Sequence, residues 1–188
     1  MDITTISEVK PNQLSEVLDY VINFRNELFP KLDLQALPKD LEDFRAVYME
    51  SKTGAFLQAR NGEGQLIGVI GMMPYDYRFS HLHMSLHTTV EVARLFVDPN
   101  YRRTGLATRL FKKLQVIARE REIDRSYLHT HPFLAGAYEF WQKQGFGLLT
   151  FCSEKGFPTL HMEKLLNQKL NCNRKYMQPK ELENETFV

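Results

Sequence analysis

The sequence predicts a mixed α/β (α+β) domain, and three observations carry that expectation. Residues 90–130 read as strand, basic glycine-containing turn, amphipathic helix and strand, which is a right-handed crossover between two parallel strands. Residues 54–73 carry two short apolar strand patterns on either side of Asn61-Gly62-Glu63-Gly64, which is hairpin chemistry. Two apolar series with helical spacing precede that hairpin, so helices and a mixed sheet must pack together.

Taken in order, a first strand is expected at 3–7. Pro11 and Asn12 then signal a helix start before Leu14, Val17, Leu18, Val21, Ile22, Leu28 and Phe29, which recur every three or four residues and line one buried stripe. Pro30 ends it, because proline has no N–H to continue the ladder. A second helix begins near Pro38 and buries Leu41, Phe44, Val47 and Tyr48, leaving Lys39, Asp40, Glu42 and Asp43 toward water. Strands follow at 54–60 and 66–73. Residues 74–87 mix aromatic, histidine and polar residues without a period and read as loop with some strand. A strand at 90–97 closes on Asp98-Pro99-Asn100, and the helix beginning after Thr104 buries Leu106, Leu110, Phe111, Leu114, Ile117 and Ala118. The partner strand lies at 126–130. A helix over 134–144 stops at Gly145 in the left-handed cap, and short strands follow near 146–152 and 159–163. Beyond Leu166 the chain turns polar, so 1–166 is expected as one domain and 167–188 as a surface appendage.

With 188 residues, 43% of them hydrophobic, the chain can bury one substantial core without disulfides or metals. Cys152 and Cys172 stand apart, with no CxxC pair and no signal peptide ahead of them, so a reducing cytoplasm is the expected setting. No apolar run approaches the roughly 18–20 residues needed to cross a bilayer, so no membrane partner is expected. The net charge of +1 averages an acidic stretch at 1–50 and a basic one at 101–150. The basic stretch suits either an anionic ligand or a solvated helix face. No aromatic-rich recognition motif accompanies it, and no nucleic-acid partner is expected.

The most informative segment is the turn between strand and helix, with Arg102, Arg103, Thr104, Gly105, Leu106, Ala107 and Thr108. A helix N-terminus offers unpaired amides and about half a positive charge, so this turn can seat phosphate oxygens while Arg102 or Arg103 adds formal charge. Gly105 admits a ligand close to the backbone, and Ala107 nearly so. Neither the Walker spacing nor the dinucleotide Gly-x-Gly-x-x-Gly is present.

Arg102-Arg103-Thr104-Gly105-Leu106-Ala107, following Val97-Asp98-Pro99 and opening an amphipathic helix, resembles the signature of the GNAT superfamily of acyl-CoA N-acyltransferases. The segment from Ala137 through Trp141 to Gly145-Phe146 is similar to that family's late helix. The resemblance covers about residues 54–163. It implies a mostly antiparallel sheet of about six to seven strands, with one splayed parallel pair joined by the cofactor-binding helix and helices on both faces. It also implies acetyl-CoA (coenzyme A) as acyl donor, its pyrophosphate on the 102–108 turn and its pantetheine arm beside the backbone of Leu95, Phe96 and Val97. The chemistry implied is direct attack by an acceptor amine in a ternary complex.

An alkyl amine has a pKa near 10, so a base is useful. Glu91 stands where several family members carry a catalytic glutamate, and it is the expected base. Arg94 could orient an acidic group, but three residues from Glu91 on a strand it faces the other side. Many members place a tyrosine four residues before the late Gly-Phe. Here that position is Trp141, assigned to the cofactor site, and Tyr138, one helical turn earlier, is the substitute expected to protonate the thiolate. Among six histidines, His81, His83 and His87 cluster and His129 and His131 form a His-x-His pair. No carboxylate or cysteine completes a familiar ligand spacing, so no metal is expected and these histidines are read as lining the acceptor cleft with Tyr75, Asp76 and Tyr77. The acceptor is expected to be a small-molecule or peptide amine, the chain a monomer or homodimer. Trp141 in place of tyrosine also leaves open a non-catalytic acyl-CoA sensor.

Overall fold

The computed structural model describes residues 4–29, 37–82, 84, 88–154 and 156–166. The expected tail at 167–188 with Cys172, the first residue of the expected opening strand, His83, His87 and Lys155 lie outside them. The strands are β1 (Thr5–Glu8), β2 (Ala55–Arg60), β3 (Leu66–Pro74), β4 (Thr89–Val97), β5 (Arg125–Thr130), β6 (Gly147–Glu154) and β7 (Phe157–Leu165). The helices are α1 (Leu14–Leu28), α2 (Lys39–Glu42) followed by a π-helical turn at Arg45–Met49, α3 (Leu106–Glu120) and α4 (Ala137–Lys143).

All seven strands form one sheet in the order β1-β2-β3-β4-β5-β7-β6. Every neighbouring pair is antiparallel except β4 and β5, which α3 joins as the crossover expected from the sequence. Asn61 shapes the β2–β3 turn, its Oδ1 accepting from the amides of Glu63 (3.1 Å) and Gln65 (2.9 Å). β2 is buried on both faces. On one face Ala55, Leu57 and Ala59 meet Leu110, Phe111 and Leu114 of α3. On the other, Phe56 meets Val17, Val21 and Phe24 of α1 with Leu41, Phe44 and Tyr48 from the second helical segment. The α3 stripe read from spacing is the one that buries; in α1 Val17 and Val21 bury as expected, joined by Phe24, which the expected stripe did not include, while Leu14, Leu18, Ile22 and Leu28 are half-buried. Truncating a buried leucine such as Leu110 or Leu114 to alanine costs about 2–5 kcal/mol.

α4 starts three residues later than the periodicity suggests. Residues 132–136 form turns instead, with the amide of Leu134 bonded to His131 O and that of Ala137 to Leu134 O, both at 3.0 Å. Its end is as expected: Gly145 has φ 88°, and the amides of Gly145 and Phe146 return to the carbonyls of Gln142 (2.9 Å) and Trp141 (3.1 Å). That is a Schellman closure. β6 and β7 run longer than expected and pair from Gly147↔Glu163 to Glu154↔Phe157. The aperiodic stretch after β3 has no regular structure from Tyr75 to Phe79, and it lays Tyr75, Phe79 and Leu82 over Tyr127 of β5.

Candidate active site

β4 and β5 pair only at Thr89↔Arg125, Val90↔Ser126 and Glu91↔Tyr127, although β4 continues to Val97 and β5 to Thr130. The two strands therefore splay beyond Glu91. On its other edge β4 carries a bulge, because only Ile70 stands opposite Arg94 and Leu95 between the pairs Gly71↔Ala93 and Val69↔Phe96. Arg94 sits there at φ 57°, a left-handed conformation that costs a non-glycine residue free energy. Asp40 holds it, accepting from Nη2 at 2.7 Å and Nε at 3.0 Å, while Tyr48 Oη donates to the same carboxylate at 2.7 Å. Arg94 thus turns to α2 rather than to Glu91, as opposite strand faces require.

The turn after β4 is ordered by its own side chains. Asp98 Oδ1 accepts from Asn100 N at 2.8 Å, Arg102 Nε donates to Val97 O at 3.1 Å, and Thr104 Oγ1 donates to Tyr101 O at 2.7 Å. Gly105 then takes φ 83°, and the first bond of α3 runs from Arg109 N to Gly105 O at 3.0 Å. The amides of Gly105, Leu106, Ala107 and Thr108 consequently have no intrahelical acceptor. The space outside them is open: a Cβ placed on Gly105 would meet nothing within 4 Å, and Arg102, Arg103, Thr104 and Gly105 are exposed. Free amides and the helix dipole face open space there, and Arg102 and Arg103 are exposed in the same turn, features that suit an anion. Leu106 and Phe96 are buried, so their side chains serve the core; Leu95, Val97, Ala107 and Thr108 are half-buried.

Glu91 lies where the strands part, and it is 1% exposed. Arg78, from the loop after β3, donates through Nη2 to its Oε1 at 2.7 Å and brings Nη1 to 2.7 Å from Oε2. His129 Nδ1 stands 2.9 Å from Oε1 in an ion-pair approach, with the ring off the line of a hydrogen bond. Burial by itself would raise the Glu91 pKa; the contacts of His129 and Arg78 outweigh it and hold the carboxyl down to about 2. A carboxylate held that low is a poor acceptor of an amine proton. It is well suited to orienting a histidine.

Sequence reasoning missed Arg78 and gave His129 no catalytic role. Arg78 carries no local signal, because its partner is on another strand. His129 had one: it lies two residues from Tyr127 and so shares a strand face with it. Tyr75 is buried against Tyr127 (ring centroids 4.7 Å apart), whereas Asp76 accepts from Arg78 at 2.8 Å and Tyr77 is exposed. On α4, Tyr138 is half-buried and its Oη accepts from Gln142 Nε2 at 3.0 Å, which leaves its own proton available for donation. Trp141 goes the other way. It is 7% exposed and meets Phe111 and Phe146 edge-on at 5.4 and 5.3 Å, so its indole packs the core and has little surface left for a ligand.

The splayed pair, the open helix N-terminus and the late helix lie in one stretch, and a sequence model of the acetyltransferase (GNAT) family matches residues 18–146. The chain belongs to the GNAT family. A GNAT acetyltransferase from Staphylococcus aureus MU50 superposes with a TM-score of 0.70 at 24% identity, over 88% of this chain and 100% of that one. The Salmonella typhimurium acetyltransferase yncA, whose structure holds its cofactor acetyl-CoA, superposes with a TM-score of 0.66 at 14% identity, over 88% and 95% of the two chains. Human N-acetyltransferase 8 is 26% identical over 125 residues, which are 65% of this chain and 52% of that protein. The chain thus spans about half the length of that relative. No helix among the described residues is long and apolar enough to cross a membrane.

Proposed function

We propose that this GNAT chain transfers an acetyl group from acetyl-CoA to an amine of a small-molecule or peptide acceptor, by direct attack within a ternary complex. The observation that carries the reading is the open N-terminus of α3 at Gly105, directly after a strand that splays from its parallel partner. In this reading the pyrophosphate rests on the amides of Gly105, Leu106, Ala107 and Thr108, with Arg102, Arg103 and Thr104 around it. The pantetheine arm enters the splay beside Leu95, Phe96 and Val97, where β4 has backbone groups to offer once its pairing with β5 ends. Trp141 supports this seat from the core.

The amine nitrogen attacks the thioester carbon, the carbon–sulfur bond breaks, and the amine proton passes to His129. Glu91 serves the base by fixing that imidazole, and Arg78 keeps Glu91 ionised. Tyr138 supplies the proton that the coenzyme A thiolate takes up. A sensor that bound acetyl-CoA without transfer would show binding and no thiol release over a panel of amines.

Calorimetry with acetyl-CoA tests the seat. At φ 83° every side chain at Gly105 is strained, so Gly105→Ala reports strain alone and Gly105→Glu adds an anion. Gly105→Ala is expected to bind, and Gly105→Glu to lose more than about 100-fold, the scale of a charge-assisted contact turned repulsive. Equal affinities of the two variants would remove the pyrophosphate from this turn.

A further inference from the structure

The sheet face that carries Glu91 and His129 continues across β7 and β6, and a second constellation stands there. Pairing His129↔His161 and Cys152↔Thr159 places His161 beside His129, with Cys152 and Glu154, two residues apart on β6, on the same face. His81 reaches the same point from the loop after β3. Cys152 Sγ is 3.3 Å from Glu154 Oε1 and 3.6 Å from His81 Nε2, and Glu154 Oε1 is 3.5 Å from His81 Nε2 and 3.4 Å from His161 Nε2. One donor atom from each of the four residues lies within 4.8 Å of all the others.

A second observation points into this cluster. His161 is fully buried, and its Nε2 has no hydrogen-bond partner among the described residues. Its other nitrogen is 2.6 Å from Tyr127 Oη. With the proton on Nδ1 donated to that phenol, Nε2 keeps its lone pair, 3.4 Å from the Glu154 carboxylate and within 4.8 Å of the Cys152 sulfur. That is the arrangement that orients metal-bound histidines, in which the far N–H is anchored by a neighbour. A buried lone pair facing an anionic oxygen is otherwise costly.

We propose that His81, Cys152, Glu154 and His161 form a binding site for a zinc-class divalent cation. Tetrahedral zinc, with bonds of about 2.0–2.3 Å, sets its donor atoms roughly 3.3–3.8 Å apart; four of the six donor pairs fall in that range, and the two from His161 to His81 and Cys152 lie within 4.8 Å, so binding draws His161 inward. One thiolate and two imidazoles disfavour magnesium and calcium, which take oxygen donors. Binding ionises Cys152, its proton going to solvent. Four protein donors close the coordination shell, so the role is structural: the ion pins the loop that carries Arg78 and Phe79 onto the β6–β7 hairpin. The expectation of no metal came from the spacing of histidines along the chain; Cys152 and His81 are 71 residues apart and meet only through the fold.

The test uses the full chain, freed of metal with a chelator and titrated with zinc against a chromophoric competitor, and with cobalt(II) followed by absorption. One zinc per chain is expected, with a tetrahedral cobalt spectrum and a thiolate-to-cobalt charge-transfer band. Cys152→Ser should lose that band and Cys172→Ser keep it. His81→Ala, at an exposed position where folding should survive, should weaken zinc by at least about 100-fold and abolish the rise in thermal midpoint that zinc produces in the parent. Zinc affinity unchanged in both Cys152→Ser and His81→Ala, or octahedral cobalt without a thiolate band, would reduce the cluster to an ion-pair network and overturn the proposal.

Discussion

Glu91→Gln tests the electrostatics of the site most directly, because it removes one charge and almost no volume. Glu91 is 1% exposed and its carboxyl is held at about 2 against an ordinary value of 4.5. A displacement of that size corresponds to roughly 3 kcal/mol at neutral pH. Breaking a buried ion pair costs about 3–5 kcal/mol when the remaining charge is stranded. Arg78 is not stranded, since its side chain is 36% exposed and Asp76 stays within 2.8 Å. The expected loss is therefore about 2–3 kcal/mol, read by urea unfolding at pH 7 with unchanged slope, and about 5–10 °C in thermal midpoint for a chain of this length. The pH dependence follows from the direction of the shift. A carboxyl whose folded pKa is depressed contributes in full above its unfolded value and progressively less as pH falls toward the folded one. The gap between parent and Glu91→Gln should thus be constant above about pH 5.5 and close between about 4.5 and 2. A gap under about 0.5 kcal/mol at pH 7, or one that persists unchanged on acidification, would show that Arg78 and His129 do not hold this charge.

Three further outcomes follow from the same geometry. His129→Gln should lower kcat by about 10²–10³-fold while leaving acetyl-CoA affinity within about threefold, as loss of a general base does; a kcat within about threefold of the parent would return proton acceptance to another group. Tyr138→Phe should cut kcat on the order of tenfold with little change in stability, because Tyr138 is half-buried and a thiolate leaves with modest help; thiol-release kinetics would read it, and an unchanged rate would free Tyr138 from the mechanism. Trp141→Phe should cost about 1–3 kcal/mol in denaturant unfolding, through the space opened against Phe111 and Phe146, with acetyl-CoA affinity nearly unchanged; the reverse pattern would place the indole at the cofactor.

The fold and the shape of the turn before α3 were largely legible in the residues. The helical spacing of Val17 and Val21, the Asn61 hairpin, the Gly145 helix stop and the Arg102 to Ala107 motif each occupy a few consecutive residues. Helical periodicity, capping and turn chemistry are encoded at that range, so the order of elements could be read in advance. Boundaries were less secure, as the delayed start of α4 shows: the amides of Leu134 and Ala137 close turns on the carbonyls of His131 and Leu134 before the helical ladder begins.

What the chain alone determined is therefore the succession of strands and helices and the local shape of the turn at Gly105. The tertiary structure decided the rest: that Arg78 clamps Glu91, that Trp141 is core, and that His81 reaches Cys152. Period-two alternation tells which face a strand residue takes, but not which strand lies beside it. Here β7 inserts between β5 and β6, and that order, with the pairing His129↔His161, is what sets the polar side chains of distant segments against one another.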